Sequence, residues 1–334
     1  MIDSQKLSLD YYIQGYRLHE RMTKSTNFQA RQLFQKAIKL WPNGGRAQGF
    51  LSFSTQIALL NDWIHADEAT SLLGQVVQDV NSPDKNALSG ILATVVQRIG
   101  NVQESHNPLD ILASTVVPYF AATALNVDPE DYDNWWSCAS ACTYSPCSSD
   151  KEHAIKLYDG ALDRATESDA PSVNIASLIV DRADTLFFFA SGDDAGAQQI
   201  LKAIGDVKDA MSSVPEDPKR QNWNWTLGWA YYELGNIVNQ PSYHAQSLAL
   251  LSQFRRPTDL ILKNIIADHV ALEEYQTAEH LAAEFLSRNP NYDLSIENRW
   301  PYRDENRRTA WKRHLGRAGL PGDPESGPPP PLCV

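Results

Sequence analysis

Residues 9–42 read LDYYIQGYRLHERMTKSTNFQARQLFQKAIKLWP, and this stretch decides the fold. In its second half Ala30, Phe34 and Ala37 fall at spacings of four and three, which places them on one stripe of a helix. Small, large, small along that stripe lets a neighbouring helix approach closely around the aromatic ring. Pro42 follows and predicts the end of the helix. In the first half Tyr11, Gly15 and Leu18 predict a second helix with its own stripe. The unit is thus two helices joined by a turn, over residues 8–42.

The beat recurs along the chain. Ala154, Tyr158 and Ala161 repeat it, as do Ala197, Leu201 and Ile204, then Ala245, Ala249 and Ser252, then Ala278, Ala282 and Phe285 with Pro290 beyond. Ala124 and Pro129 keep only the end of a unit. Upstream stripes read Trp135, Cys138, Ala139, Cys142 in one unit and Leu227, Gly228, Tyr231 in another. Predicted units cover 8–42, a degenerate pair over 45–80, then 132–166, 172–210, 221–254 and 258–288, with a closing helix over 304–318. A helical stretch over 85–128 is broken at Asn107-Pro108 and Pro118. The tail GLPGDPESGPPPPLCV is rich in Pro and Gly and is expected to be disordered.

This pattern resembles the tetratricopeptide repeat, a helix–turn–helix unit of about 34 residues. The opening stretch looks like the first repeat of the region that follows the catalytic domain in some bacterial adenylate cyclases and related regulators. The ending, NPNYDLSIENRWPYRDENRRTAWKRHLGRAGLP, residues 289–321, is similar to the closing segment of those proteins. The resemblance spans residues 8–321. It implies an all-α, tetratricopeptide-like helix-pair solenoid, wound as a right-handed superhelix, in one array over 1–320 followed by a disordered tail over 321–334. Residues 75–110 fit poorly and mark an irregular junction, and several turns are about three residues longer than the standard unit. The cyclase catalytic domain is absent, so no cyclase activity carries over.

Composition is that of a soluble, core-forming chain, with 43% hydrophobic and 21% charged residues. No apolar run approaches the ~20 residues that span a bilayer, and the first residues show no signal-peptide pattern. A reducing cytoplasm is the expected location. Net charge is −12 but uneven: +5 over residues 1–50, −12 over 128–217 and +5 over 298–318. An acidic middle argues against nucleic acid as partner and suits a basic protein or peptide.

In the resembled family the first helix of each pair lines a concave groove that takes extended peptides or partner helices. Asn222, Trp225, Trp229 and Tyr232 share one helical stripe, opposite the stripe of Leu227, Gly228, Tyr231 and Leu234, which matches the family's packing positions. The aromatic stripe is either groove, with Trp and Tyr as anchors, or core under a long loop. By the same register Tyr12, Tyr16 and His19 face the groove in the first unit, and Trp136 and Ser140 in a later one.

Cys138, Cys142, Cys147 and His153 offer four zinc donors, yet C-x3-C-x4-C-x5-H is not a usual zinc spacing. Core filling by Cys138 and Cys142 is the preferred reading, with zinc or a Cys142–Cys147 disulfide behind it. Cys333 lies in the tail. No phosphate-cradling loop, nucleophile elbow or metalloprotease helix occurs. Asp181, Arg182 and Asp184 within one turn, Asp193-Asp194, and His269 on an apolar stripe read as structural before they read as acid–base groups. No catalytic residue, metal or cofactor is assigned. The expected function is a protein- or peptide-binding adaptor or regulatory scaffold. The rival is an enzyme or small-molecule sensor with its pocket among Trp225, Trp229 and Tyr232.

Overall fold

The computed structural model describes residues 2–19, 23–42, scattered positions from 47 to 72, 125, 129–143, 148–216, 220–255 and 257–327. Every regular element among them is helical. None of these helices is long and apolar enough to cross a membrane. The stretch expected to be helical over 85–128, the junction near 75–110, Cys147 and Cys333 lie outside the described residues. The chain divides after Arg164 into two compact units.

The first unit opens with α1 (Ile2–His19) and α2 (Lys24–Leu40). Thr23 caps α2 by accepting from the Thr26 N–H, in a capping box. The two helices run antiparallel around Phe34. At Gly15 an added Cβ would lie 2.8 Å from the Phe34 ring, so only glycine admits the ring. The Ser8 hydroxyl donates to the Ala37 carbonyl at 2.8 Å, and Ala30, Phe34 and Ala37 are buried. On α1 the seam is Ser8, Tyr12, Gly15 and His19, whereas Tyr11 and Leu18 are half-buried. Gly15 is common to both stripes, and Tyr12 and His19 lie one residue, about 100°, on from the Tyr11 and Leu18 that the spacing suggested.

Ala37→Trp forces an indole into this contact and is expected to cost at least ~1–3 kcal/mol. A thermal melt reads it directly, and an unchanged melting temperature would rule out this seam.

Further along the first unit come α3 (Tyr132–Thr143) and α4 (Ser148–Glu167). Ala154, Tyr158 and Ala161 are buried as a stripe on α4. Gly160 accommodates the Trp135 ring, which a Cβ would meet at 2.6 Å.

The second unit contains α5 (Ser172–Phe189), α6 (Asp194–Ser213), α7 (Arg220–Val238), α8 (Pro241–Leu251), α9 (Asp259–Ala271), α10 (Tyr275–Arg288), a 3-10 turn at Leu294–Arg299, and α11 (Glu305–Arg317). Each of α5 to α9 packs on the next, and α11 folds back onto α9 and α7. Every residue of α9 from Leu260 to Asp268 is buried. Asp193, Thr258 and Asp304 cap α6, α9 and α11 through their side chains. Ala278, Ala282 and Phe285 are buried along α10.

Two expected stripes are corrected. On α6 Leu201 is exposed, and Ile200 and Ala203 join Ala197 and Ile204 in the core. On α8 Ala245, Ala249 and Ser252 are exposed, while His244, Ser247 and Leu251 are buried. There a hydrogen-bonded polar pair, not apolar periodicity, chooses the inward face.

As far as Gly327 the Pro/Gly-rich tail makes polar contacts with the rest of the chain. The Leu294 N–H donates to the Pro321 carbonyl at 2.8 Å, and Arg313 pairs with Glu325 at 2.7 Å. The Lys312 ammonium donates to the Ser326 carbonyl. Backbone donors and side-chain cations of the last helix supply the partners that the tail's own sequence lacks.

Candidate functional site

The aromatic stripe of α7 is the natural place to look. Trp229 is 1% exposed and Tyr232 is 0% exposed. Of the two readings left open, both residues take the core one. The cover is the chain's own C-terminal segment. The Trp229 ring stacks on Trp311 with centroids 5.5 Å apart and meets Trp300 edge-on at 4.7 Å. Its Nε1–H reaches Tyr302 Oη at 3.0 Å and Glu233 Oε1 at 3.2 Å. The Tyr232 hydroxyl bonds His314 Nδ1 at 2.8 Å.

Two buried carboxylates anchor this cover. Glu233 Oε2 accepts from Arg307 Nη2 at 2.8 Å and Nε at 3.1 Å, so two guanidinium donors converge on one oxygen. Tyr302 donates to the other oxygen, Oε1. Arg307 Nη1 donates to the Phe187 and Ala190 carbonyls at 2.8 and 2.7 Å, satisfying the end of α5. Glu297 accepts from Lys263 Nζ and Tyr292 Oη, each at 2.5 Å, and from Trp300 and Trp311 at 2.8 and 3.2 Å. Burial pushes the Glu297 carboxyl up. Lys263 and the other donors outweigh it and hold the group below its ordinary value. Carboxylates saturated by donors from their own chain have no lone pair left for a substrate, so both read as structural anchors.

Trp225 sits at the edge of this assembly. It is half-buried against Leu251, Ile261 and Ile265, and its Nε1–H has no partner. Asn222 lies in α7, but its side chain is outside the described atoms. In the first unit Tyr12, His19, Trp136 and Ser140 are buried and Tyr16 is half-buried. Tyr12 contacts Phe34, Tyr16 and Phe50 with centroids 5.8–6.2 Å apart. His19 Nδ1 bonds Ser54 at 2.8 Å, and Ser140 bonds the Tyr158 hydroxyl at 3.0 Å. Tyr12, His19, Trp136 and Ser140 therefore lie in helix seams rather than on an open groove, and Tyr16 packs at the border against Phe50. The physical reason is that large rings and short hydroxyls find partners on the adjacent helix.

The remaining candidates resolve locally. Cys138 and Cys142 are buried and His153 is exposed. Among the described residues no group of three His, Cys, Asp or Glu is placed to hold a metal. Burial, then the Asp181 charge, raises the Asp184 carboxyl well above its usual range, and its Oδ1 has no partner. Asp193 is exposed and caps α6. His269 Nδ1 bonds Glu274 at 2.6 Å, at the end of α9.

One titratable chain has measurable consequences. Asp268 on α9 bonds His244 Nδ1 at 3.2 Å and accepts from Ser247 at 2.5 Å, both on α8. His244 meets Tyr232 edge-on at 5.3 Å, and Tyr232 holds His314. Burial raises the Asp268 carboxyl to about 6, against the pull of His244 and Ser247. Burial, then His244 and Arg317, lowers His314 to about 4.

The two act in opposite senses. A depressed histidine contributes stability present above its unfolded value of 6.5 and lost as pH falls toward 4. A raised carboxyl contributes stability present below 3.8 and lost as pH rises through 6. Relative to wild type, His314→Gln is therefore expected to gain stability between pH 6.5 and 4, and Asp268→Asn to lose it. Each change is at most ~3 kcal/mol. Urea midpoints at pH 4.5 and 7 read the signs; equal responses in both variants would refute the assignment.

Sequence reasoning missed the cover made by Arg307, Tyr302, Trp311 and Glu297, and the Lys263 on α9 that pairs with it. Two signals pointed to it. One was Glu233, the lone acidic residue of an aromatic-rich helix. The other was the +5 balance of residues 298–318 beside an acidic middle. No protein-family model matches the chain, and no curated protein matches it.

Proposed function

We propose that the chain is a protein- or peptide-binding regulatory scaffold, built of tetratricopeptide-like helix pairs in a right-handed solenoid and working in a reducing cytoplasm. The observation that carries this reading is on α1. One face of that helix is buried against α2 and Phe50, yet Leu7, Leu9 and Ile13 are 45%, 42% and 38% exposed. A helix apolar on more than one face is buried in a larger assembly or meets a partner. The small-residue seams of α1–α2, α3–α4 and α9–α10 support the repeat architecture. The rival sensor pocket among Trp225, Trp229 and Tyr232 loses its support, because Trp229 and Tyr232 are sealed by the C-terminal segment.

The test is photo-crosslinking from position 13. The full chain carrying a benzophenone side chain in place of Ile13 is expected to give one discrete protein adduct in cells. The same label at Leu201, which is also exposed, serves as control. Adducts no stronger at 13 than at 201 would reject the reading.

A further inference from the structure

The exposed stripe of α1 narrows the class of partner. Leu9 and Ile13 stand at i and i+4, so they line one side of the helix, and Tyr16 is half-buried against Phe50 where that side meets the seam. The buried seam of Ser8, Tyr12, Gly15 and His19 lies about a quarter-turn away. Lys6 and Arg17 are exposed along the far border of the stripe. Among the described side chains of residues 4–42, the exposed charged ones are Lys6, Arg17, Lys24, Lys36 and Lys39 against Asp10. The described exposed charge on α1 and α2 is therefore mostly cationic, in contrast to the acidic middle of the chain.

The backbone of α1 offers nothing to an extended strand. Its N–H and C=O groups are paired within the helix, so there is no edge for main-chain hydrogen bonding. What remains is a side-chain ridge, which another helix meets by laying its own apolar stripe alongside. Resting on the scaffold reading, we infer that the Leu9–Ile13 face of α1 docks an amphipathic helix of a partner protein whose flanks are acidic. Aliphatic side chains of the partner cover Leu9 and Ile13, and its carboxylates lie over Lys6 and Arg17. The contact gains from apolar burial and from charge complementarity, so it weakens with added salt. The basic partner suggested by the acidic middle of the chain does not suit this face.

Two 18-residue amidated helical peptides with one leucine stripe test this, one with glutamate at the remaining positions and one with lysine. The full chain is expected to bind the glutamate peptide at least tenfold more tightly than the lysine peptide, with affinity falling as sodium chloride rises. Ile13→Glu should abolish binding with an unchanged melting temperature, because the side chain is exposed. The double variant Lys6→Glu, Arg17→Glu should reverse the preference.

Equal binding of both peptides, or no saturable binding of either, would overturn the inference. So would binding of the wild-type chain to phosphatidylserine vesicles that Ile13→Glu removes, since the face would then belong to a membrane surface. If the peptides fail while crosslinking at position 13 succeeds, the acidic-helix partner is wrong and the scaffold stands. If both fail, neither stands.

Discussion

Arg307→Met is expected to cost about 3–5 kcal/mol, the loss typical of breaking a buried ion pair from one side. For a unit of this size that is on the order of a 10 °C drop in melting temperature. The reason is geometric. The substitution leaves Glu233 charged and buried, with only Trp229 and Tyr302 as donors. It also leaves the Phe187 and Ala190 carbonyls without the Nη1–H that satisfies them. Methionine keeps most of the volume, so cavity formation is not the source of the loss. Glu233→Leu strands the guanidinium instead. The double variant removes both charges and is expected to cost less than the two single variants together by more than ~1 kcal/mol, because the partners are coupled. Additive losses would show that Arg307 and Glu233 do not meet.

Trp229→Ala is the second large effect, again about 3–5 kcal/mol. The indole is 1% exposed and touches Phe187, Phe188, Trp225, Trp300 and Trp311, so its removal opens a cavity among rings that cannot all collapse inward. It also frees the Tyr302 hydroxyl from its bond to Nε1. Tyr231→Ala, on the buried opposite stripe, should fall by a comparable amount. Trp225→Ala, half-buried with an unpaired N–H, should lose only about 1–2 kcal/mol. Thermal melts of the three variants rank them. A wild-type melt for Trp229→Ala would mean that the C-terminal segment does not cover α7.

The neighbouring anchor gives the same picture from the other side. Glu297 gathers Lys263 from α9, Tyr292 and Trp300 around the 3-10 turn, and Trp311 from α11. Four donors from separate parts of the chain converge on one carboxylate. The C-terminal segment is therefore tied to the helix pairs through a desolvated network. Such a network is costly to open.

The all-helical character and the helix pairs were legible in the sequence. Spacings of three and four in Ala30-Phe34-Ala37 and Ala278-Ala282-Phe285 specify a helix face. The prolines after them specify where that face stops. Such information is local, because a side chain's direction follows from its position in a 3.6-residue turn. The sequence could not say which of two stripes on one helix meets water. In α7 both stripes carry large apolar side chains, and the cover over Trp229 and Tyr232 includes residues some seventy to eighty positions later that return to meet them. On α8 His244 and Ser247 point inward because Asp268 waits on the next helix. Periodicity fixes direction around a helix axis, whereas burial depends on what else arrives, and that was decided by long-range pairing of charges and rings.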